Sequence, residues 1–223
     1  MTAKRRLYIF DLDGTIADTV ESLAYSVNQC LRAAGLPEHP ADKYRYFAGE
    51  GAAVMLKRSL IAAGDSELAH FDETMERYPR IFAQGCLYRV KAYDGMPEAL
   101  TSLKDQGVKL AVLTNKADEN ARLLVERIYG TGFFDLILGQ NDTHKRKPSP
   151  EGVYLIQNHF AVSAEDCVYV GDTCTDMQTG KAAGLYTVGV TWGFRDRQEL
   201  EGSHADCIID HPSQLLTLPG PEA

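Results

Sequence analysis

Beyond Tyr93 the chain alternates short apolar runs with stretches of helical spacing, and this alternation constrains its fold more than any other feature. Val108–Leu113, Leu136–Leu138, Cys167–Val170, Thr187–Val190 and Cys207–Ile209 read as strands. Glu98–Gln106, Asp118–Tyr129, Glu151–Phe160 and Asp176–Ala183 read as the helices between them. Near-continuous apolar runs separated by helices predict a parallel sheet covered on both faces, because a parallel crossover needs a helix and buries both sides of each strand. Leu7-Tyr-Ile-Phe10 adds a buried strand at the start.

Between these parts the pattern differs. Residues 19–34 carry Leu23, Val27, Cys30, Leu31 and Ala34 at helical spacing, with Thr19 as N-cap and Gly35 as stop. Helical patterns continue over 52–63 and 67–83, with little strand signal. The expected architecture is a doubly wound α/β core, residues 1–15 and 93–223, interrupted by an inserted α-helical cap over 16–92. Hinges are expected at Thr15–Ala17 and Val90–Asp94.

Ligands of doubly wound sheets bind outside the carboxyl ends of the strands, and four polar clusters fall there or at a helix start. Asp11-x-Asp13-Gly14-Thr15 closes the first strand. Two carboxylates this close resist ionising together; the segment is either a solvated turn or a site for a divalent cation. Oxygen ligands favour Mg²⁺. Thr114, in Thr114-Asn115-Lys116, either caps the next helix or offers a hydroxyl and backbone N–H groups to phosphate oxygens. Lys147, in Lys147-Pro-Ser-Pro150, is either a surface lysine or an ammonium aimed at a phosphate by its prolines. Asp172 closes a strand, and Asp176 lies near a helix start, where a carboxylate also suits the helix dipole.

Taken in chain order, these clusters resemble the haloacid-dehalogenase superfamily, in its phosphoglycolate-phosphatase-like branch. Phe10-Asp-Leu-Asp-Gly-Thr15, Thr114-Asn-Lys116, Lys147-Pro-Ser-Pro150 and Val170-Gly-Asp-Thr-Cys-Thr-Asp176 carry the resemblance, and Ala182-Ala-Gly184 and Val188–Gly193 extend it. The resemblance implies an Mg²⁺-dependent phosphatase acting on a small phosphorylated metabolite. Asp11 is then the nucleophile and Asp13 the general acid and base. The ion is held by Asp11, the Asp13 backbone carbonyl and Asp172, with Asp176 behind them supporting a metal-bound water or Lys147. Thr114, the Asn115 N–H and Lys147 hold the phosphoryl oxygens. Asp13 points away from dehalogenation, which protonates no alkoxide. In the cap, Arg45 is a candidate for a substrate carboxylate, the Gly49-Glu-Gly51 loop for further contacts, and Lys57 lies behind them. Trp192 reads as packing and Cys174 as filler.

The remaining features bound the alternatives. A net charge of −8 argues against a nucleic-acid partner or an anionic membrane. Five cysteines without a C-x-x-C pair suggest reduced thiols, and the apolar run after Arg6 is too short for a signal segment. The expected protein is cytoplasmic, a monomer or homodimer. A sugar-phosphate mutase of the same superfamily is the rival enzyme. A phospho-Asp signalling receiver is the rival from another class, although receivers are shorter and lack the insertion.

Overall fold

The computed structural model describes residues 5–219; residues 1–4 and 220–223, which the sequence reading assigns to the core, lie outside the described residues. The chain forms two compact units, one running up to Ala17 and from Ala92 onward, the other Asp18–Lys91.

In chain order the first elements are β1 (Leu7–Phe10), β2 (Ala17–Asp18), α1 (Val20–Ala33), α2 (Tyr44–Phe47), α3 (Ala52–Ala62), α4 (Phe71–Gly85) and β3 (Lys91–Ala92). They are followed by α5 (Met96–Asp105), β4 (Lys109–Ala117), α6 (Asp118–Tyr129), β5 (Leu136–Gln140), α7 (Glu151–Phe160), β6 (Cys167–Gly171), α8 (Cys174–Ala182), β7 (Tyr186–Val190), α9 (Arg197–Gly202) and β8 (Cys207–Ile209). A six-stranded sheet has the order β5-β4-β1-β6-β7-β8, and its strands pair in parallel. It is an α/β fold. All four residues of β1 are buried, as suits a strand flanked on both edges and covered on both faces. Phe10 is in register with Val112 on one side and Val170 on the other. The residues that follow these strands therefore emerge side by side. Chain order reverses about β1, and that reversal is where a parallel sheet opens a crevice. Below it, Leu7, Ile9, Ala111, Leu113, Val153, Ile156 and Tyr169 form part of one buried cluster.

The second unit is helical. Tyr44 is fully buried and packs edge-on against Phe47, with His39 against both rings. This aromatic knot accounts for α2, a helix too short to give a periodic signal in the sequence.

Three local expectations are revised. The helix expected over 67–83 starts only at Phe71. The Asp65 carboxylate accepts the Ala69 and His70 N–H groups at 2.8 and 2.9 Å, and Leu68 sits at φ 56°. A carboxylate that captures backbone donors offers the chain an alternative to helix. Thr19 occupies the N-cap of α1, but its side chain makes no capping bond. The strand expected to end at Leu113 runs on to Ala117, with a register shift between Leu113 and Ala117.

Candidate active site

Asp11 is the first residue beyond β1, and its N–H continues the ladder by donating to the Val170 carbonyl at 2.9 Å. Its carboxylate, nearly buried, lies 2.7 Å from the Lys147 ammonium. That ammonium also lies 2.7 Å from Asp176. Lys147 is held in place by the Asn115 side chain. The Lys147 N–H donates to Asn115 Oδ1 at 2.9 Å, and Asn115 Nδ2 donates back to the Lys147 carbonyl at 3.2 Å. The Lys147–Pro148 peptide is cis. Lys147 is therefore not a surface lysine: its side chain is only 3% exposed.

Asp172 follows β6 and is fully buried. Its two oxygens accept from Thr15 Oγ1 at 2.9 Å and from the Phe194 N–H at 2.7 Å. Asp176 combines two readings offered by the sequence. One oxygen accepts Lys147; the other accepts the Thr173 N–H and hydroxyl at 3.1 and 2.8 Å, closing a capping box at the start of α8. Asp13 sits in the turn after β1 and pairs with Lys116, Nζ to Oδ2 at 3.0 Å. Thr114 is buried, and its hydroxyl accepts the Lys116 N–H at 3.2 Å.

The electrostatics are those of a site short of positive charge. Four carboxylates (Asp11, Asp13, Asp172, Asp176) face two ammonium groups (Lys116, Lys147), a formal balance of −2. Burial first, and then the Asp176 charge, push the Asp11 carboxyl above its ordinary range, with Lys147 opposing them. Burial, followed by Asp176 and Asp11, does the same to Asp172 more strongly. Burial also works against the Lys147 ammonium, but Asp11 and Asp176 outweigh it and hold Lys147 well above its usual value. Carboxylates that resist ionising beside one another fit a bound divalent cation, which supplies the missing charge. Asp11, Asp172 and Asp176 each offer a ligand oxygen, all within 4.8 Å of one another. The donor set is oxygen only, as hard cations such as Mg²⁺ prefer.

Glycines make room for these carboxylates. A Cβ at Gly171 would lie 2.2 Å from Asp176 Cβ, and one at Gly193 would lie 2.3 Å from Asp172 Cβ and 2.4 Å from the Gly14 carbonyl. Gly171→Ala is expected to lower the unfolding free energy by about 1–3 kcal/mol through overpacking, and turnover by about 10²-fold if a carboxylate shifts by ~1 Å. Gly202→Ala, with nothing within 4 Å of the added carbon, should leave both unchanged. Thermal melts and phosphate release check the pair.

Several neighbours escaped the sequence reading. From the sequence alone Lys116, within Thr114-Asn115-Lys116, has no role of its own. With β4 ended at Leu113, nothing placed it on the same face as Thr114; a strand continued through Ala117 would have, since residues i and i+2 share a face. Thr15 and the Phe194 N–H orient Asp172; Thr15 belongs to the first motif but had no role assigned there, and the Phe194 N–H, a backbone group, gave no signal. Trp192, read as packing, also donates its indole N–H to the Thr15 carbonyl at 3.0 Å. Cys174 is half-buried, and its N–H donates to Glu199 at 3.0 Å.

The candidates in the helical unit are Arg45, half-buried in α2, and Gly49 and Gly51 at φ 113° and 88°. Gly51 is the N-cap of α3, and Glu50 between them pairs with Arg58. Positive φ at both positions explains the glycines by the turn they make. Lys57 lies over the Phe71 ring at 4.8 Å.

Fold and site place the chain in a class of α/β enzymes with an aspartate-rich centre at the end of the first strand, hydrolases of phosphoric monoesters. The profile of the haloacid dehalogenase-like hydrolases matches residues 8–190, and the chain belongs to this family. A phosphoglycolate phosphatase of Pectobacterium atrosepticum is 34% identical over 221 residues, covering 99% of this chain and 94% of that protein. The crystal structure of a predicted phosphoglycolate phosphatase from Haemophilus somnus 129pt superposes with a TM-score of 0.88 at 26% identity, covering 97% and 98% of the two chains. A candidate beta-phosphoglucomutase from Thermotoga maritima, at 22% identity and a TM-score of 0.74 over 95% and 97% of the chains, shares the fold. Among the described residues no helix is long and apolar enough to cross a membrane.

Proposed function

We propose that this chain is an Mg²⁺-dependent phosphatase that hydrolyses a small phosphomonoester through a transient aspartyl-phosphate on Asp11, with 2-phosphoglycolate the leading substrate. The observation that carries the reading is the buried Asp11 carboxylate at the end of the central strand, 2.7 Å from an equally buried lysine. The substrate comes from the phosphoglycolate phosphatase relative, which aligns over nearly the whole of both chains.

A carboxylate needs no base to act as a nucleophile. One Asp11 oxygen forms a bond to phosphorus while the bond from phosphorus to the ester oxygen breaks, and the Asp13 carboxyl delivers its proton to the departing alkoxide. In the second half, a water oxygen attacks the phosphorus of the aspartyl-phosphate and gives a proton to Asp13. The bond to Asp11 breaks, inorganic phosphate leaves, and both aspartates return to their starting states. Lys147, the Thr114 hydroxyl and the Asn115 N–H offset charge on the phosphoryl oxygens. When bound by Asp11, Asp172 and the Asp13 carbonyl, with Asp176 behind, the cation supplies two positive charges at the phosphoryl group. In the helical unit, Arg45 is the candidate for the substrate's carboxylate, with Gly49 and Gly51 shaping the adjoining loop.

Phosphate release from a panel of phosphomonoesters, with and without Mg²⁺, tests this reading. The expected result is release from 2-phosphoglycolate that a chelator stops and Mg²⁺ restores, together with a rise in melting temperature when Mg²⁺ is added. Isomerisation of a hexose 1-phosphate without free phosphate would instead identify a mutase. Silence on every ester would end the proposal.

A further inference from the structure

Lys147 explains how Asp11 is held, but the other buried ammonium of the site serves a different carboxylate. Lys116 lies within the register break of β4, between Leu113 and Ala117, its side chain only 5% exposed, with Nζ 3.0 Å from Asp13 Oδ2. Exposed pairs of this chain, such as Arg32 with Glu38 at 67% and 41% exposure, are of a kind worth little. A sequestered lysine is different, because its ammonium is costly to bury unless a carboxylate meets it. The lysine is anchored at its own backbone too, since its N–H donates to the buried Thr114 hydroxyl. That hydroxyl stands among the candidate phosphate ligands, so one short stretch of strand ties the phosphate side of the site to the Asp13 side.

Asp13 lies outside the regular strands, its backbone making only an isolated bridge with Ala17, and its carboxyl must be fixed about two side-chain torsions before it can deliver a proton. A general acid works only within about 2.6–3.2 Å of its target, and an error of ~1 Å costs about 10²-fold. The geometry points to Lys116 as the positioning residue for Asp13: it holds the Asp13 carboxyl where the departing oxygen emerges and takes no phosphoryl oxygen itself. The inference rests on the phosphatase reading above and adds a division of labour between two lysines, Lys147 for the nucleophile and Lys116 for the acid.

The division predicts a dependence on leaving group. An alkoxide needs the Asp13 proton; nitrophenolate, stable as an anion, does not. Single turnovers with enzyme in excess would compare the parent, Lys116→Met and Lys116→Arg on 2-phosphoglycolate, or the best alkyl ester of the panel, and on p-nitrophenyl phosphate. Lys116→Met should slow release of the alkyl alcohol by about 30-fold or more. It should leave nitrophenolate release and both KM values within about threefold, and Lys116→Arg should recover most of the loss. Equal slowing on both esters, or a rise in KM alone, would assign Lys116 to phosphate binding or to the fold and overturn the inference. If Lys116→Met melts early, Lys116→Gln takes its place, and the same leaving-group contrast decides. A parent that releases nothing from either ester sinks the phosphatase reading itself, whereas an active parent with a uniformly impaired variant sinks only the role of Lys116.

Discussion

Asp11→Asn is expected to lower turnover by about 10⁴-fold or more, the scale on which removal of a covalent nucleophile acts, while the fold survives. The substitution is nearly isosteric. Asn keeps a carbonyl oxygen where Asp11 Oδ1 now lies 2.7 Å from Lys147, so the buried ammonium retains an acceptor. The substitution also removes one of three carboxylates within 4.8 Å of one another. Burial and the neighbouring Asp176 already drive Asp11 toward its neutral form. The cation-free variant should therefore melt at or above the temperature of the parent. Two measurements separate chemistry from folding. Acid quenching during turnover should trap labelled phosphate on the parent and none on the variant, and thermal melts should overlay or shift upward. A variant that turns over at the parental rate, or that still carries label, would remove Asp11 from the mechanism.

Lys147→Met should damage both stability and activity. Its side chain is 3% exposed, and its ammonium answers two carboxylates at 2.7 Å each. Methionine fills similar volume without charge, so the loss is electrostatic. The backbone clamp from Asn115 uses only the Lys147 main chain and is not touched by the change. Breaking a buried pair by removing one partner costs about 3–5 kcal/mol, because the remaining charge has nowhere to go. Denaturant unfolding of the cation-free protein should show a loss of that order. Saturating Mg²⁺ should restore part of it by binding only the folded state. Turnover should fall by about 10²–10³-fold, as it does when a donor to a developing oxyanion is removed. A variant as stable and as active as the parent would mean that Lys147 is a bystander.

The sequence revealed the sheet because buried parallel strands write themselves as apolar runs. Helices α6 and α7 and strand β8 match their expected bounds to the residue. Asp11 and Asp172 were legible for a similar reason, since each follows such a run, whereas Asp13 and Asp176 stood out by their spacing from these two and by the family resemblance. What failed was local. The delayed start of α4 depends on where one Asp65 carboxylate reaches, and α2 depends on three aromatic rings meeting. Neither leaves a period in the sequence.

The order of residues along this chain, by itself, determined an α/β core with helices inserted after its first strand, and it marked Asp11, Asp13, Lys147, Asp172 and Asp176 only through their conjunction and the family resemblance that it carries. Only the tertiary structure decided which charge answers which. It set Lys147 between Asp11 and Asp176, gave Asp13 to Lys116, and left Asp172 to a hydroxyl and a backbone N–H. Hydrophobic periodicity is a property of neighbours in sequence, whereas ion pairing in a buried site depends on distances of a few ångströms between segments that belong to different elements of the chain.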